Sequence, residues 1–237
     1  IATALYVENA GSGYSVANSG LIHAEATDPT RAEAHGLVVS GGNYYGELYN
    51  SGTIEANARF TVETGASEDM WASATAVRLT DGASFAGGIV NTGNIIATAD
   101  GLSGLTATAI NIEDEGAAHT IAQLDGSIVG DIRMANSYGD TIDWSGGTIE
   151  GDLYADSLDT LNVFNGSTEE LLPRSFTFAG DISNLGTLNV NTPSYSGAAA
   201  GLTLGGTVGA VDLNVRDNGT LTVAPTAEIN VTNYTQE

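Results

Sequence analysis

A short phrase returns along this chain with small variations, and a returning phrase limits the fold more than any single residue can. A glycine, an acidic or small residue and an aliphatic are followed by Asn-x-Gly and a β-like run. It reads Gly46-Glu47-Leu48-Tyr49-Asn50-Ser51-Gly52-Thr53-Ile54, then Gly87-Gly88-Ile89-Val90-Asn91-Thr92-Gly93-Asn94-Ile95, then Gly180-Asp181-Ile182-Ser183-Asn184-Leu185-Gly186-Thr187-Leu188. Copies of one unit imply stacked copies of one supersecondary element. Such a scaffold hosts many activities, so the phrase speaks to architecture and leaves function open.

The corner glycines fall at Gly20, Gly52, Gly93, Gly126, Gly147, Gly186 and Gly219, with gaps of 32, 41, 33, 21, 39 and 33 residues. The 21-residue gap recurs between Gly130-Asp131-Ile132 and Gly151-Asp152-Leu153, and it reads as one turn of a solenoid. Gaps of 41 and 39 then read as two turns, and the 33-residue gaps as one turn with a loop or two short turns. Leu-Asn-Val at Leu161, Leu188 and Leu213 marks somewhat longer coils toward the C-terminus. Runs such as Thr187-Leu188-Asn189-Val190 alternate with period two, so each strand has one buried face. Glycine supplies the positive φ a tight corner needs, and asparagine tolerates it and bonds its own turn. The expected fold is an all-β solenoid of about ten or eleven coils at roughly 4.8 Å per rung, with a continuous inner ladder of Leu, Ile and Val.

A repeat running nearly end to end predicts one elongated domain over residues 1–237. Stretches 27–35, 57–74, 113–119 and 165–175 break the pattern and are expected to protrude as loops. The Ala- and Thr-rich stretch 97–112 is expected to be strand and turn. Composition agrees: 31 Gly against four Pro suits many short strands joined by tight turns.

Charge excludes some partners. Asp and Glu number 29 against six arginines and no lysine, a net charge of −23. Such a surface repels nucleic acid and anionic membrane faces while keeping a β-protein soluble. Cysteine is absent, which excludes disulfides, thiol catalysis and thiolate zinc. No apolar run approaches the roughly 20 residues of a membrane helix, so no membrane insertion by this segment is expected. The chain begins at Ile1 without a basic, hydrophobic leader, and reads as a processed or excised segment.

Phrases such as Gly87 to Ile95 and Gly205-Gly206-Thr207-Val208-Gly209-Ala210-Val211-Asp212-Leu213-Asn214-Val215 resemble the passenger regions of bacterial autotransporters, the type V secreted surface proteins. The likeness lies in repeat style and extends over most of the chain. It implies a right-handed parallel β-helix carried outside the outer membrane, ahead of a translocator β-barrel that these residues do not include. It also implies either adhesion and assembly at the cell surface or an enzymatic passenger such as a serine protease or lipase.

Catalytic motifs do not gather. Neither Gly-Asp-Ser-Gly nor a Gly-x-Ser-x-Gly elbow occurs, and His23, His35 and His119 fall in different coils. Asp131, Asp152 and Asp181 each follow a glycine and could form an outward acidic ladder. That ladder would serve a carbohydrate-active enzyme, hold calcium weakly and adventitiously, or cap backbone amides. With no repeat-in-toxin loop of the Gly-Gly-x-Gly-x-Asp type, no dedicated metal site or cofactor is expected. Tyr44, Tyr45, Tyr49, Met70 and Trp71 are the aromatic and apolar candidates for partner contact. Neither end carries a charged cap, so self-association, end-to-end stacking or continuation into a longer solenoid is expected. The leading expectation is a non-enzymatic extracellular passenger in adhesion, cell-to-cell association or filament assembly, with a neighbouring or host cell surface or a glycan as partner. The alternative is a polysaccharide lyase or hydrolase.

Overall fold

The computed structural model describes residues 1–8, 14–61, 71–101, 104–113, 117–134, 138–166, 173–191 and 199–237. Among these residues there is no helix, and every strand pairing is parallel. The chain is a parallel β-solenoid. Its strands stack in three faces, visited in turn and each continued by the next coil.

The first face carries Val16–Asn18, Leu48–Asn50, Ile89–Asn91, Thr120–Gln123, Thr141–Trp144 and Thr160–Val163. The second carries Leu21–Asp28, Thr53–Phe60, Asn94–Asp100, Ser127–Val129 and Thr148–Glu150. The set Arg174–Phe178, Ala200–Leu204 and Thr220–Val223 pairs as a separate sheet beyond it. The third carries Ala2–Glu8, Arg31–Ser40, Trp71–Thr80, Leu105–Ile112, Asp131–Arg133 and Leu153–Tyr154. Toward the C-terminus the corner between the third and first faces opens out. Ile182–Val190, Thr207–Val215 and Glu228–Gln236 each run through it as one strand.

The inner ladder is as the alternation predicts. Leu48, Ile89, Ile121, Ile142, Leu161, Leu188 and Leu213 are register partners in sequence, all within 2% exposure. A second column runs Ile54, Ile95, Ile128, Ile149, and a third Leu37, Val77, Ile110, Ile132, Leu153, Ile182, Val208. Burying one such side chain contributes about 1.5–3 kcal/mol, so the columns dominate the stability.

Coil length is where the sequence reading needs correction. Asn50 pairs directly with Asn91, so the 41-residue step is a single turn. The step from Asn91 to Gln123, 32 residues, is also one turn. Each of these turns carries two long strands, and in the coil of Leu21–Asp28 and Arg31–Ser40 only a tight turn separates them. Stretch 27–35 is strand on both sides of a tight turn, and positions 57–60 and 71–74 lie in Thr53–Phe60 and Trp71–Thr80. Arg174 and Ser175 likewise begin a strand. Residues 62–70, 114–116 and 167–172, the middles of three expected loops, lie outside the described residues. Stretch 97–112 is strand at both ends, as expected.

Alanine accounts for the misreading. In the first coils the second and third faces continue past the Leu and Ile columns as a flattened wing whose interior is Ala24, Ala26, Ala32, Ala34, Ala56, Ala58, Ala72, Ala74 and Ala97, all buried. Period-two alternation is present there, with alanine in the apolar slot. At the wing's edge Asp28 Oδ1 accepts from Thr30 N at 2.8 Å and Arg31 N at 2.9 Å and turns the chain around Pro29. Those amides, Arg31 first, hold the Asp28 carboxyl below its usual range.

The Asn-x-Gly corner also works differently from its expected role. Asn18, Asn50 and Asn91 are not among the positive-φ residues, and of the first-to-second-face corner glycines only Gly126 and Gly147 are. The asparagines point inward, and each donates Nδ2 to the next rung: Asn18 to Asn50 at 2.8 Å, Asn50 to Asn91 at 2.8 Å, Asn91 to Gln123 at 2.7 Å. Each also bonds the carbonyl two residues on, as expected. Glycine is needed for close stacking. A Cβ on Gly93 would meet the Gly52 carbonyl, and one on Gly126 the Gly93 carbonyl. Trp144 takes the next rung, its Nε1 bonding Gly147 O at 3.3 Å and its ring packed edge-on at 5.0 Å from Phe176. The third copy of the phrase is not equivalent to the first two. Ile182 pairs in the third-face column with Leu153, and Asn184, at φ 59°, sits in the opened corner.

Candidate functional site

The acidic ladder exists, and its chemistry is that of a corner. Glycines 130, 151, 180 and 206 stack so closely that a Cβ on each of the last three would meet the carbonyl of the one before. The residue after each glycine opens the third face. Asp131 Oδ1 accepts from Asp152 N at 3.2 Å, Asp152 Oδ1 from Asp181 N at 2.8 Å, and Asp181 Oδ1 from Thr207 N at 2.7 Å. Each carboxylate thus satisfies a backbone amide one rung along. The second oxygen of Asp131 meets Arg133 Nη2 at 3.0 Å, and that of Asp152 accepts from the Tyr154 hydroxyl at 3.4 Å. Burial, followed by the charges of Asp131 and Asp152, pushes the Tyr154 phenol up. Among the described residues no group of three His, Asp or Glu side chains is arranged to hold a metal ion.

The same face also holds a polar groove. At His35, Thr75 and Thr108, which are register partners, the strands bend from the thin wing into the wider coil. Gly36 marks the bend, since a Cβ there would meet the Ala76 carbonyl oxygen at 2.6 Å and Ile54 Cγ2 at 3.0 Å. The bend leaves a groove of about 370 Å³ across four successive rungs. One wall is the column Glu33, Ser73, Thr106; the floor is His35, Thr75, Thr108; the other wall is Arg78, Asn111, Arg133, with Glu113 beside it. Glu33 Oε1 meets His35 Nε2 at 3.0 Å. Arg78 donates Nε and Nη2 to Glu113 Oε2 at 2.9 and 2.7 Å. Arg133 lies over the Tyr154 ring, 4.0 Å from its centroid.

Of the aromatic candidates, Tyr44 is core, 1% exposed and stacked on Phe85 at 4.6 Å. Tyr45 is 72% exposed, and Tyr49 is half-buried with its hydroxyl 3.3 Å from Thr92 Oγ1. The structure therefore does not bring the three tyrosines together. Trp71 is half-buried and shares the outer side of its strand with Ser73, because Ala72 and Ala74 between and beyond them are fully buried. Met70 lies outside the described residues. His119 is buried beside Asp140, whose Oδ1 accepts from His119 N, with Asp159 one rung further taking Asp140 N at 2.8 Å. Burial pushes the Asp159 carboxyl up to about 6. This column is closed to solvent and belongs to the framework.

Sequence reading missed Glu33, His35, Arg78, Glu113 and Arg133 as a group. They fall on outer positions of strands that neighbour one another only at the true coil lengths. Two of the chain's six arginines lie in the groove, a signal visible only once the register is known. No protein-family model, curated protein or solved structure matches the chain.

Proposed function

We propose that the chain is a non-enzymatic extracellular β-helix segment, of the autotransporter-passenger kind, serving adhesion, cell-to-cell association or filament assembly at a bacterial surface. The observation carrying this reading is the state of the two ladder ends. Ala2–Glu8 pairs on one side, with Arg31–Ser40, and Glu228–Gln236 on one side, with Thr207–Val215. Their free edges stand beside exposed apolar side chains: Leu5, Tyr6 and Leu21 at one end, Val211, Val223 and Tyr234 at the other. An open parallel edge with exposed apolar rungs is a template for another rung. One end of the ladder offers the strand direction the other accepts, so each edge suits a further rung, from a longer solenoid or from a second copy joined head to tail.

A polysaccharide lyase or hydrolase is the second reading, favoured by the carboxylates of the groove. Their engagement by His35, Arg78 and Arg133 weighs against it, since a carboxylate oxygen already held by a neighbouring side chain is not placed to reach a substrate. The two readings separate by experiment. Displayed on a bacterium lacking other adhesins, the chain is expected to make cells settle or attach, with no oligosaccharide released from a polysaccharide panel. Release that disappears when Asp131, Asp152 or Asp181 is replaced would transfer the assignment to the enzyme.

A further inference from the structure

The groove at the bend of the third face holds polar atoms that the fold leaves without partners. His35 is 7% exposed, and its Nδ1 is buried with no hydrogen-bond partner among the described residues. Arg133 gives Nη2 to Asp131 and its guanidinium plane to Tyr154, while its buried Nε likewise has no partner among the described residues. A buried polar atom left unpaired costs about 1–3 kcal/mol. Two of them on residues lining one groove mark a place where a polar ligand would be stabilised on arrival.

The lining decides the chemistry of that ligand. Arg78 and Arg133 face three carboxylates, Glu33, Glu113 and Asp131, in a chain whose net charge is −23. An anion would therefore be repelled. The carboxylates are already bound to His35, Arg78 and Arg133, which leaves little for a free cation. Ser73, Thr75, Thr106 and Thr108 add hydroxyls that both donate and accept. Such a surface suits a neutral ligand with many hydroxyls of its own. The groove crosses successive rungs, each advancing about 4.8 Å, comparable with one sugar ring of an extended chain. Trp71, on the same outer side as Ser73, stands ready to stack on the apolar face of a ring.

We propose that this groove binds a neutral glycan chain lying along the solenoid axis, without cleaving it. The proposal rests on the reading of the chain as a non-enzymatic surface-binding scaffold and names its partner. The test is native electrophoresis through gels containing dextran, galactomannan or xyloglucan, with polygalacturonate as the anionic comparison. Retardation in at least one neutral gel is expected, weakened on the order of tenfold in dissociation constant, about 1.4 kcal/mol, by Arg78→Ala or by Ser73→Phe. Far-UV circular dichroism checks each variant; if Arg78→Ala unfolds, Ser73→Phe, on the outer side of its strand, carries the test. Absence of retardation in every neutral gel, retardation unchanged in the folded variants, or stronger retardation by polygalacturonate would each overturn the site. Self-association of the same variants, measured by sedimentation, is expected to be unchanged. Failure of the groove and failure of the assembly reading are thereby told apart.

Discussion

Replacing Asn91 by alanine should cost more than replacing any outward asparagine, and the structure gives the size. Asn91 is 0% exposed; it donates to Gln123 Oε1 at 2.7 Å and to Gly93 O at 3.1 Å, and it accepts from Asn50 Nδ2 at 2.8 Å. Asn50 Nδ2 keeps Asn94 O at 3.1 Å, and Gly93 O keeps the amide of Ser127, so neither is stranded. Gln123 Oε1 loses the donor that Asn91 supplied, inside a residue that is itself fully buried. At about 1 kcal/mol for each of the three lost side-chain bonds and 1–3 for the stranded acceptor, the total is about 4–6 kcal/mol. Asn162 makes a similar stack on the outside, donating to Asp143 at 2.8 Å and accepting from Asn189 at 2.9 Å, but it is only half-buried. Water can replace those bonds, so Asn162→Ala should cost about 0.5–1 kcal/mol. Chemical denaturation followed by far-UV circular dichroism measures both, with the slope m monitored alongside the midpoint. If Asn91→Ala shifts the midpoint no more than Asn162→Ala, the buried ladder does not hold the coils as described.

Gly93→Ala drives a methyl group into the Gly52 carbonyl, whereas Gly82 has φ +82° and open space around its Cβ direction. Gly82→Ala should therefore cost about 1 kcal/mol through backbone strain alone, and Gly93→Ala distinctly more; equal losses would refute the close-stacking account. The Asp159 carboxyl titrates at about 6 against an ordinary 3.8, so the folded state holds its proton more tightly than the unfolded chain does. That contribution is complete below the unfolded value and lost as pH rises through about 6. The stability of the wild type minus that of Asp159→Asn should fall by on the order of 2 kcal/mol from about pH 4 to pH 7; a flat difference would contradict it. Asn57 and Thr98 are register partners 41 residues apart. Cysteines at both positions should form a disulfide on mild oxidation, because neighbouring rungs about 4.8 Å apart lie within bridging range. Persistent free thiols in the folded double variant would restore the two-turn reading of that step.

The fold class was legible because period-two alternation, Gly-rich corners and a returning phrase all point to stacked strands. The 21-residue step and the Leu-Asn-Val column could be read off directly, and both are true registers. The long first coils were hidden because alanine at positions such as Ala32, Ala34, Ala72 and Ala74 looks too small to mark a buried face, although it fills a thin one. The role of Asn50 and Asn91 was half legible: the turn bond follows from the corner itself, while the inter-coil amide ladder requires knowing which asparagine stands on which. The groove was the least legible feature. Glu33, Arg78 and Arg133 become neighbours only when coils of 40, 33 and 23 residues are laid over one another, as His35 over Thr75, Thr75 over Thr108 and Thr108 over Asp131. The stacking of Asp131, Asp152 and Asp181 follows from the Gly-Asp corners, and amide capping was one of the readings those corners allowed.

Sedimentation of the purified chain across a wide concentration range bears most directly on the proposed assembly. With 29 acidic residues against six arginines, like-charged rods repel, and about 0.5 M salt shortens the screening length to a few ångströms. The weight-average mass should rise with concentration, rise further with salt, and return to monomer when Thr232→Pro removes an outward-facing amide from the outermost strand and blocks its edge. A monomer at every concentration and salt, or association indifferent to the edge variant, would contradict assembly through the ladder ends.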